Sequence, residues 1–192
     1  MEINVELEKR ILEIAYKHNL SHLGSYFSSL GIINEIYEQK LSDDVFILSA
    51  GHCALALYVV NEKFHSVDAE KIFIKHGGHP HRDEERAIAT PDKKVYCLIS
   101  DGECAEGSIW ESLKFIKEQN LQNIEVHVNV NGYCAYDTVD TKYLITRLKT
   151  FLPDIKIHKT KVGRFSFLRG LNAHYHIMSE EDYNLALKEL QQ

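Results

Sequence analysis

The sequence lacks several features that would assign it to other classes of protein. No segment approaches the roughly 20 consecutive apolar residues of a membrane span, and the polar residues 1–4 do not resemble the start of a secretion signal. No stretch concentrates Lys or Arg, and the net charge is −6, which argues against a nucleic-acid partner. None of the four cysteines forms a Cys-x-x-Cys pair. These absences predict a soluble protein of a reducing compartment, the cytoplasm, with structural thiols and with neither a membrane nor nucleic acid as its partner.

What the sequence does contain is enough apolar material for a core and a large number of histidines. The chain has 192 residues, of which 44% are hydrophobic, and this predicts a single domain over residues 1–192. Eleven residues are histidines. Seven lie beside glycine, proline or turn-like sequence: His22, His52, His76, His79, His81, His174 and His176. Because loops carry sites more often than buried elements do, these histidines are candidates for chemistry.

Apolar periodicity divides the chain into alternating helices and strands. Helical spacing predicts helices over 3–18, 29–40, 53–60, 67–75, 106–119, 139–151 and 180–190, the last with Ser179 as its N-cap. Short apolar runs predict strands at 45–48, 95–99, 124–130 and 155–159, and loops are predicted at 19–25 and 76–93. The polar residues Glu125, His127 and Asn129 predict that the third strand has one wetter face. The pattern predicts an α/β three-layer sandwich with a mostly parallel central sheet, which binds ligands beyond the carboxyl ends of its strands.

Two polar turns follow neighbouring strands of this predicted sheet. Asp101-Gly102 comes directly after the second strand, and Asn131-Gly132 follows the third strand thirty positions later. Adjacent parallel strands would bring Asp101 and Asn131 side by side, and the glycines would let backbone approach closely there. A carboxylate and an amide oxygen, with room left for phosphate oxygens, are typical of a magnesium site.

A purely structural interpretation of the same positions is also open. Asp-Gly and Asn-Gly are common turn pairs, and two turns after two strands need no ligand. An EF-hand is excluded, because a loop that begins at Asp101 has Glu106 where that motif requires glycine. Spacing alone therefore leaves both the magnesium site and a pair of turns open.

Five segments together resemble one known family. "SDGECAEGSIWES", followed by Asn131, is similar to the thiamine diphosphate motif of the transketolase family, with Ser100 in place of the usual leading glycine. Other matches occur in the family's order at "SHLGSYFSSLGIINEIYE" (21–38), "DVFILSAGHCALALY" (44–58), "GGHPHRD" (77–83) and residues 158–190. The resemblance covers nearly the whole chain. It implies the N-terminal, diphosphate-binding (PP) domain of a transketolase, as found in split two-subunit versions, with the thiamin diphosphate-binding fold.

The resemblance implies specific roles at nine positions of this sequence. Mg2+ would be held by Asp101, Asn131 and the Tyr133 carbonyl. Thiamine diphosphate would be contacted by His52, Gly102, Glu103 and His176. The catalytic residues that face the substrate would be His22 and His79. Imidazoles suit both tasks, because they donate to phosphate and move protons near neutral pH.

The implied activity is transfer of a two-carbon ketol unit between sugar phosphates, in a shortened version of the enzyme. A separate pyrimidine-binding subunit would supply the activating glutamate, and without that partner the chain would be inactive. The implied assembly is a homodimer or a heterotetramer. Glu106 resembles a carboxylate at the dimer contact, although a glutamate in the first turn of a helix is also favoured by the helix dipole.

One departure from the family keeps other functions open. Relatives carry a Thr-Gly-x-Leu-Gly-Gln-Gly stretch before the Asp-Gly strand, whereas here residues 88–90 run almost directly into that strand. A condensation like that of deoxyxylulose-phosphate synthase is one alternative, and a non-catalytic assembly module that has lost the cofactor is another. A zinc site is a third, with the candidate ligands His76, His79, His81 and Asp83. Trp110 and Phe115 are interpreted as core or partner-facing residues.

Overall fold

The computed structural model describes residues 4–79 and 93–191. The strands are β1 (Val45–Leu48), β2 (Val95–Ser100), β3 (Ile124–Val130) and β4 (Lys156–Lys159). The helices are α1 (Val5–Lys17), α2 (Leu23–Gln39), α3 (Ala54–His65), α4 (Ala69–His76), α5 (Gly107–Glu118), α6 (Thr141–Phe151), α7 (Asn172–Tyr175) and α8 (Glu180–Glu189). Short 3-10 turns occupy Gly51–Cys53 and Glu103–Ala105.

The four strands form one sheet in the order β1-β2-β3-β4, and every neighbouring pair is parallel. Parallel pairing aligns the carboxyl ends of all four strands along one edge of the sheet. The second and third strands end together, since Ser100 pairs with Asn129. The polar turns that follow β2 and β3 therefore lie beside each other at that edge.

Two separate apolar clusters cover the two faces of the sheet. One joins Tyr96 and Leu98 of β2 to side chains from α1, α2, α3 and α8. The other joins Ile99 and the valines of β3 to α5 and α6. Because alternate residues of β2 point into different clusters, helices cover both faces. The prediction of an α/β three-layer sandwich around a parallel sheet is confirmed.

Helix α2 begins at Leu23, six residues before its predicted start, so the loop predicted at 19–25 is too long. Its first turns contain serines, which suggested a loop. The hydroxyls of Ser28 and Ser29 donate to the carbonyl of Ser25 at 3.2 and 2.7 Å. This bonding satisfies the hydroxyls inside the helix, so that the serines are buried together with their apolar neighbours.

The wetter face predicted for β3 is wrong, because both faces of this strand are buried. His127 and Asn129 are only 7% and 2% exposed. Asn129 Nδ2 donates to Ser28 Oγ of α2 at 2.9 Å, while His127 is hydrogen-bonded to Glu125 and His158, both at 2.8 Å. Polar side chains are tolerated in this layer because their hydrogen bonds are made within the protein.

The remaining predicted helices and strands agree with the structure to within two residues, except that α3 continues to His65, five residues beyond its predicted end, and the short helix α7 was missed. Most of the loop predicted at 76–93 lies outside the described residues. Ser179 is confirmed as the N-cap of α8, in a reciprocal capping box with Asp182. In the described part of the chain, no helix combines the length and the apolar character needed to cross a membrane. All four cysteines are free thiols, and Cys53 and Cys104 are buried.

Candidate functional site at the carboxyl edge of the sheet

Asp101 lies at the end of β2 with its carboxylate turned toward the loop after β3. Its backbone N–H donates to the Asn129 carbonyl at 3.0 Å, which extends the ladder between the strands. One carboxylate oxygen accepts from Gly132 N at 2.6 Å, and the other accepts from Gly102 N at 3.1 Å. The structure therefore brings the Asp101 and Asn131 turns together, as adjacent parallel strands predict.

Asp101 is almost completely buried, at 2% exposure. Burial raises the pKa of Asp101 to about 6, although hydrogen bonds from the amides of Gly132 and Gly102 favour the charged form. Among residues 4–79 and 93–191, the main influences on this pKa are burial and backbone amides, and no Lys, Arg or His is one of them. Such a carboxylate would be stabilised by a divalent cation.

Two further oxygen donors lie in the loop after β3. Asn131 Oδ1 accepts from Tyr133 N at 3.0 Å, and its Nδ2 lies 3.5 Å from Ser28 Oγ. A Cβ at Gly102 would lie 3.2 Å from Cys134 Cα and 3.5 Å from the Tyr133 carbonyl oxygen. The close approach requires glycine at position 102 and places the Tyr133 carbonyl beside the Asp101 turn. A carboxylate, an amide oxygen and a carbonyl are the hard donors that Mg2+ prefers, so this donor set fits the metal.

Gly102 and Glu103 are engaged within the turn itself. Gly102 N donates to the Asp101 carboxylate, and Glu103 N donates to Ser100 Oγ at 3.3 Å. The Glu103 carboxylate accepts from Ser100 N at 2.8 Å and from Ser49 Oγ at 2.6 Å. It therefore connects the ends of β1 and β2. The contact of both amides with a diphosphate remains a prediction.

Three imidazoles come together from different elements, His22 from the N-cap of α2, His52 from the 3-10 turn after β1, and His174 from α7. The His22 ring centroid lies 4.3 Å from that of His174 and 5.8 Å from that of His52. His22 caps α2 in the left-handed region, with φ of 66°, and its N–H donates to the His174 carbonyl at 2.7 Å. A non-glycine residue in this conformation is uncommon and is often associated with a functional site.

The imidazoles of this histidine cluster are neutral at physiological pH. Burial, reinforced by His174 and His79, lowers the pKa of both His22 and His52 to about 4. The exposed His79 is positioned in part by Tyr58, whose hydroxyl donates to the His79 carbonyl at 3.0 Å. Neutral rings both donate and accept hydrogen bonds, which suits a pocket for phosphate or sugar hydroxyl groups.

The sequence identified His174 only as one of seven candidate histidines and assigned the cofactor contact to its neighbour His176. His176 instead bonds to the carboxylate of Asp182 at 3.0 Å, and its ring packs against Phe167. Helix α7 ends at Tyr175 and so directs the two histidines to different neighbours. A short helical turn in "LNAHYH" would have been the signal to separate them. The predicted role of His176 is untested.

The other candidates divide between the core and the surface. Trp110 is core-facing, since its indole donates to the Cys104 carbonyl at 3.0 Å and its ring packs on Phe151. Phe115 and Glu106 are exposed.

For the zinc alternative, His81 and Asp83 lie outside the described residues. Elsewhere in the described chain, no three His, Cys, Asp or Glu side chains form a group that could hold a metal.

The fold and these contacts define an α/β sandwich whose polar groups gather where the parallel strands end. No family model matches the chain. One component of the apulose-4-phosphate transketolase of Phocaeicola vulgatus, which is named as a subunit, is 28% identical over 64% of this chain and 57% of its own length. 1-Deoxy-D-xylulose-5-phosphate synthase of Fusobacterium nucleatum is 28% identical over 88% of this chain and 31% of its own length. Human transketolase is 32% identical over 46% of this chain and 19% of its own length.

These similarities agree with the resemblance seen in the sequence: the curated proteins to which the chain is similar are members of the transketolase family. The identities are modest, and the chain spans less than two thirds of the length of each of these relatives.

Proposed function

We propose that the chain is the diphosphate- and Mg2+-binding subunit of a thiamine-diphosphate-dependent, transketolase-like transferase. The observation that supports this most directly is the buried Asp101 carboxylate, whose pKa is raised by burial and which accepts a hydrogen bond from Gly132 N, next to Asn131. Mg2+ would be held by Asp101, by Asn131 and by the Tyr133 carbonyl. Phosphate oxygens would complete the coordination of the metal.

The histidine cluster would contact the groups beyond the metal. His22, His52 and His174, together with His79, would bond the diphosphate and the substrate hydroxyls and would exchange protons with the substrate. When bound, the cofactor supplies the carbanion chemistry of ketol transfer, while the protein orients the reactants and excludes water. The proposed reaction moves a two-carbon ketol unit between sugar phosphates.

A second subunit belongs to this proposal. The Phocaeicola vulgatus relative is itself one component of a divided enzyme by its name, which favours a chain that works with a separate pyrimidine-binding partner. In that arrangement residues 1–192 form one diphosphate-binding domain, and the partner contributes the rest of the cofactor pocket. A homodimer or a heterotetramer would complete the assembly.

A second reaction is favoured by the Fusobacterium nucleatum relative, which aligns with 88% of this chain. That relative is named as a deoxyxylulose-phosphate synthase. Reconstitution of the chain with its pyrimidine-domain partner distinguishes the two. Ketol transfer between sugar phosphates supports the first reaction, and condensation to deoxyxylulose phosphate supports the second.

Calorimetric titration of thiamine diphosphate into the chain with Mg2+ tests cofactor binding. We expect Asp101→Ala to weaken Mg2+-dependent binding at least about 100-fold, because it removes the only charged ligand of the proposed site. The matched control is Asp154→Ala, at an exposed aspartate before β4, which should bind like the wild type. Unchanged affinity in Asp101→Ala would contradict the metal assignment, whereas a wild type that binds no thiamine diphosphate would favour a non-catalytic assembly module.

A further inference from the structure

An asparagine binds a hard metal ion only through its amide oxygen, so the orientation of the Asn131 amide decides whether the proposed site works. The two orientations place Oδ1 and Nδ2 in exchanged positions. In this structure Oδ1 faces the loop backbone and accepts from Tyr133 N, while Nδ2 faces Ser28 in α2. The contact with Ser28 bears directly on this choice.

The Ser28 hydroxyl acts as an acceptor toward the sheet. Its single hydrogen is donated to the Ser25 carbonyl, one turn earlier in α2, at 3.2 Å. The oxygen therefore has only lone pairs to offer to other groups. Two amides present their NH2 groups to it, Asn129 at 2.9 Å and Asn131 at 3.5 Å.

The orientation of the Asn129 amide is also fixed by a hydrogen bond to its oxygen. Its Oδ1 accepts from the hydroxyl of Thr160, directly after β4. The hydrogen bonds thus form a chain with one direction. Thr160 donates to Asn129, Asn129 donates to Ser28, and Ser28 donates to the Ser25 carbonyl of α2. Ser28 and Asn129 are 4% and 2% exposed, so bulk water has little access to replace these bonds.

We propose that Ser28 is a positioning residue for Asn131, which it orients so that Nδ2 lies toward α2 and Oδ1 lies toward the loop after β3, where Mg2+ is proposed to bind. The inference rests on the proposed function in one respect, namely that Oδ1 is a ligand of Mg2+. The orientation itself is a property of the protein without metal. Ser28 touches neither metal nor substrate and acts only through the amide.

The matched pair of variants is Ser28→Ala and Ser29→Ala. Both serines are buried in α2 and both donate to the Ser25 carbonyl, but only Ser28 contacts Asn131. We expect Ser28→Ala to raise the Mg2+ concentration needed for thiamine diphosphate binding about tenfold, the effect of one buried hydrogen bond. Saturating Mg2+ should restore the affinity for the diphosphate. Ser29→Ala should remain within about twofold of the wild type under all conditions.

A general loss of structure would give a different result. It would weaken diphosphate binding at every Mg2+ concentration and would affect both variants alike. Equal behaviour of Ser28→Ala and Ser29→Ala overturns the proposal. Thr160→Val, which removes the donor to Asn129 with little change in volume, provides a second variant and should shift the Mg2+ requirement in the same direction by a smaller factor.

The metal-free protein gives an independent test. We expect faster solvent exchange of the Asn131 side-chain NH2 hydrogens in Ser28→Ala than in Ser29→Ala, measured by nuclear magnetic resonance. Equal exchange rates overturn the positioning role whether or not Mg2+ binds. If the wild type binds no Mg2+ and thiamine diphosphate while exchange in Ser28→Ala is accelerated, the proposed function fails and the orientation of Asn131 stands.

Discussion

The same face of β3 carries two polar groups of residues that differ in how their charges are balanced. Toward the amino ends of the strands, Lys94, Glu125, His127 and His158 form what we call the amino-end group. Lys94 pairs with Glu125 at 2.9 Å, Glu125 bonds to His127 at 2.8 Å, and His127 bonds to His158 at 2.8 Å. The carboxylate in this group thus has a cation within reach.

Toward the carboxyl ends, Asp101, Asn131, Asn129 and Ser28 form the carboxyl-end group. Its hydrogen bonds are made, but no Lys, Arg or His of the described chain is among the main influences on the pKa of Asp101. The amino-end group is partly exposed, with Lys94 and Glu125 side chains 43% and 24% exposed, whereas Asp101 is buried. Removing the charge of a paired carboxylate breaks the pair and costs stability, whereas an unpaired buried carboxylate itself has a cost that a ligand can offset.

Glu125→Gln should have the largest effect on stability. It keeps the shape of the side chain but removes the charge that pairs with Lys94 and that accepts a hydrogen bond from His127. Because Lys94 and Glu125 are partly exposed, we expect the free energy of unfolding to fall by about 1.5 kcal/mol. Urea unfolding at neutral pH measures this loss. Thiamine diphosphate binding should remain at the wild-type level. A loss of binding without a loss of stability would mean that the amino-end group serves binding and not the stability of the fold.

Acidification should destabilise the protein through the histidine cluster. The pKa of His22 and of His52 is about 4 in the folded protein and about 6.5 when unfolded, so the unfolded chain binds more protons between these values. The free energy of unfolding should therefore fall as the pH is lowered from 6.5 to 4, by on the order of 1–2 kcal/mol after allowance for partial exposure.

Urea midpoints at several pH values measure this dependence. The buried His127 and His158 also have a lowered pKa and act in the same direction, whereas the raised pKa of Asp101 acts in the opposite one. A His22→Gln, His52→Gln double variant should therefore show a shallower, though not flat, dependence. An equally steep dependence in the double variant would show that the cluster is not its source.

Asp101→Asn should have the smallest effect on stability, because two opposing changes nearly cancel. The folded protein raises the pKa of Asp101, so removal of the charge favours folding, but the NH2 of the amide would face one of the two backbone N–H groups that donate to the carboxylate. We expect the free energy of unfolding to change by less than about 1 kcal/mol. Thermal unfolding without metal measures the change. A marked loss of stability would mean that the charge is needed for folding and would weaken the case for a binding role.

The sequence allowed good prediction of the parallel sheet, because strands buried on both faces have distinct apolar runs and turns at their ends. The proximity of Asp101 and Asn131 followed from adjacent strands alone. The early start of α2 could not be predicted, because periodicity does not distinguish serines that bond to their own helix backbone from loop serines. The position of His174 depends on one short helical turn, for which four residues carry too little signal.

Helix α2 carries His22 at its first turn and Ser28 two turns further along. At about 1.5 Å per residue, these positions are separated by about 9 Å along the helix axis. The His22 ring and the Ser28 contact with the Asn131 amide are thus carried by one helix. Any shift of α2 along its axis would move both of them together.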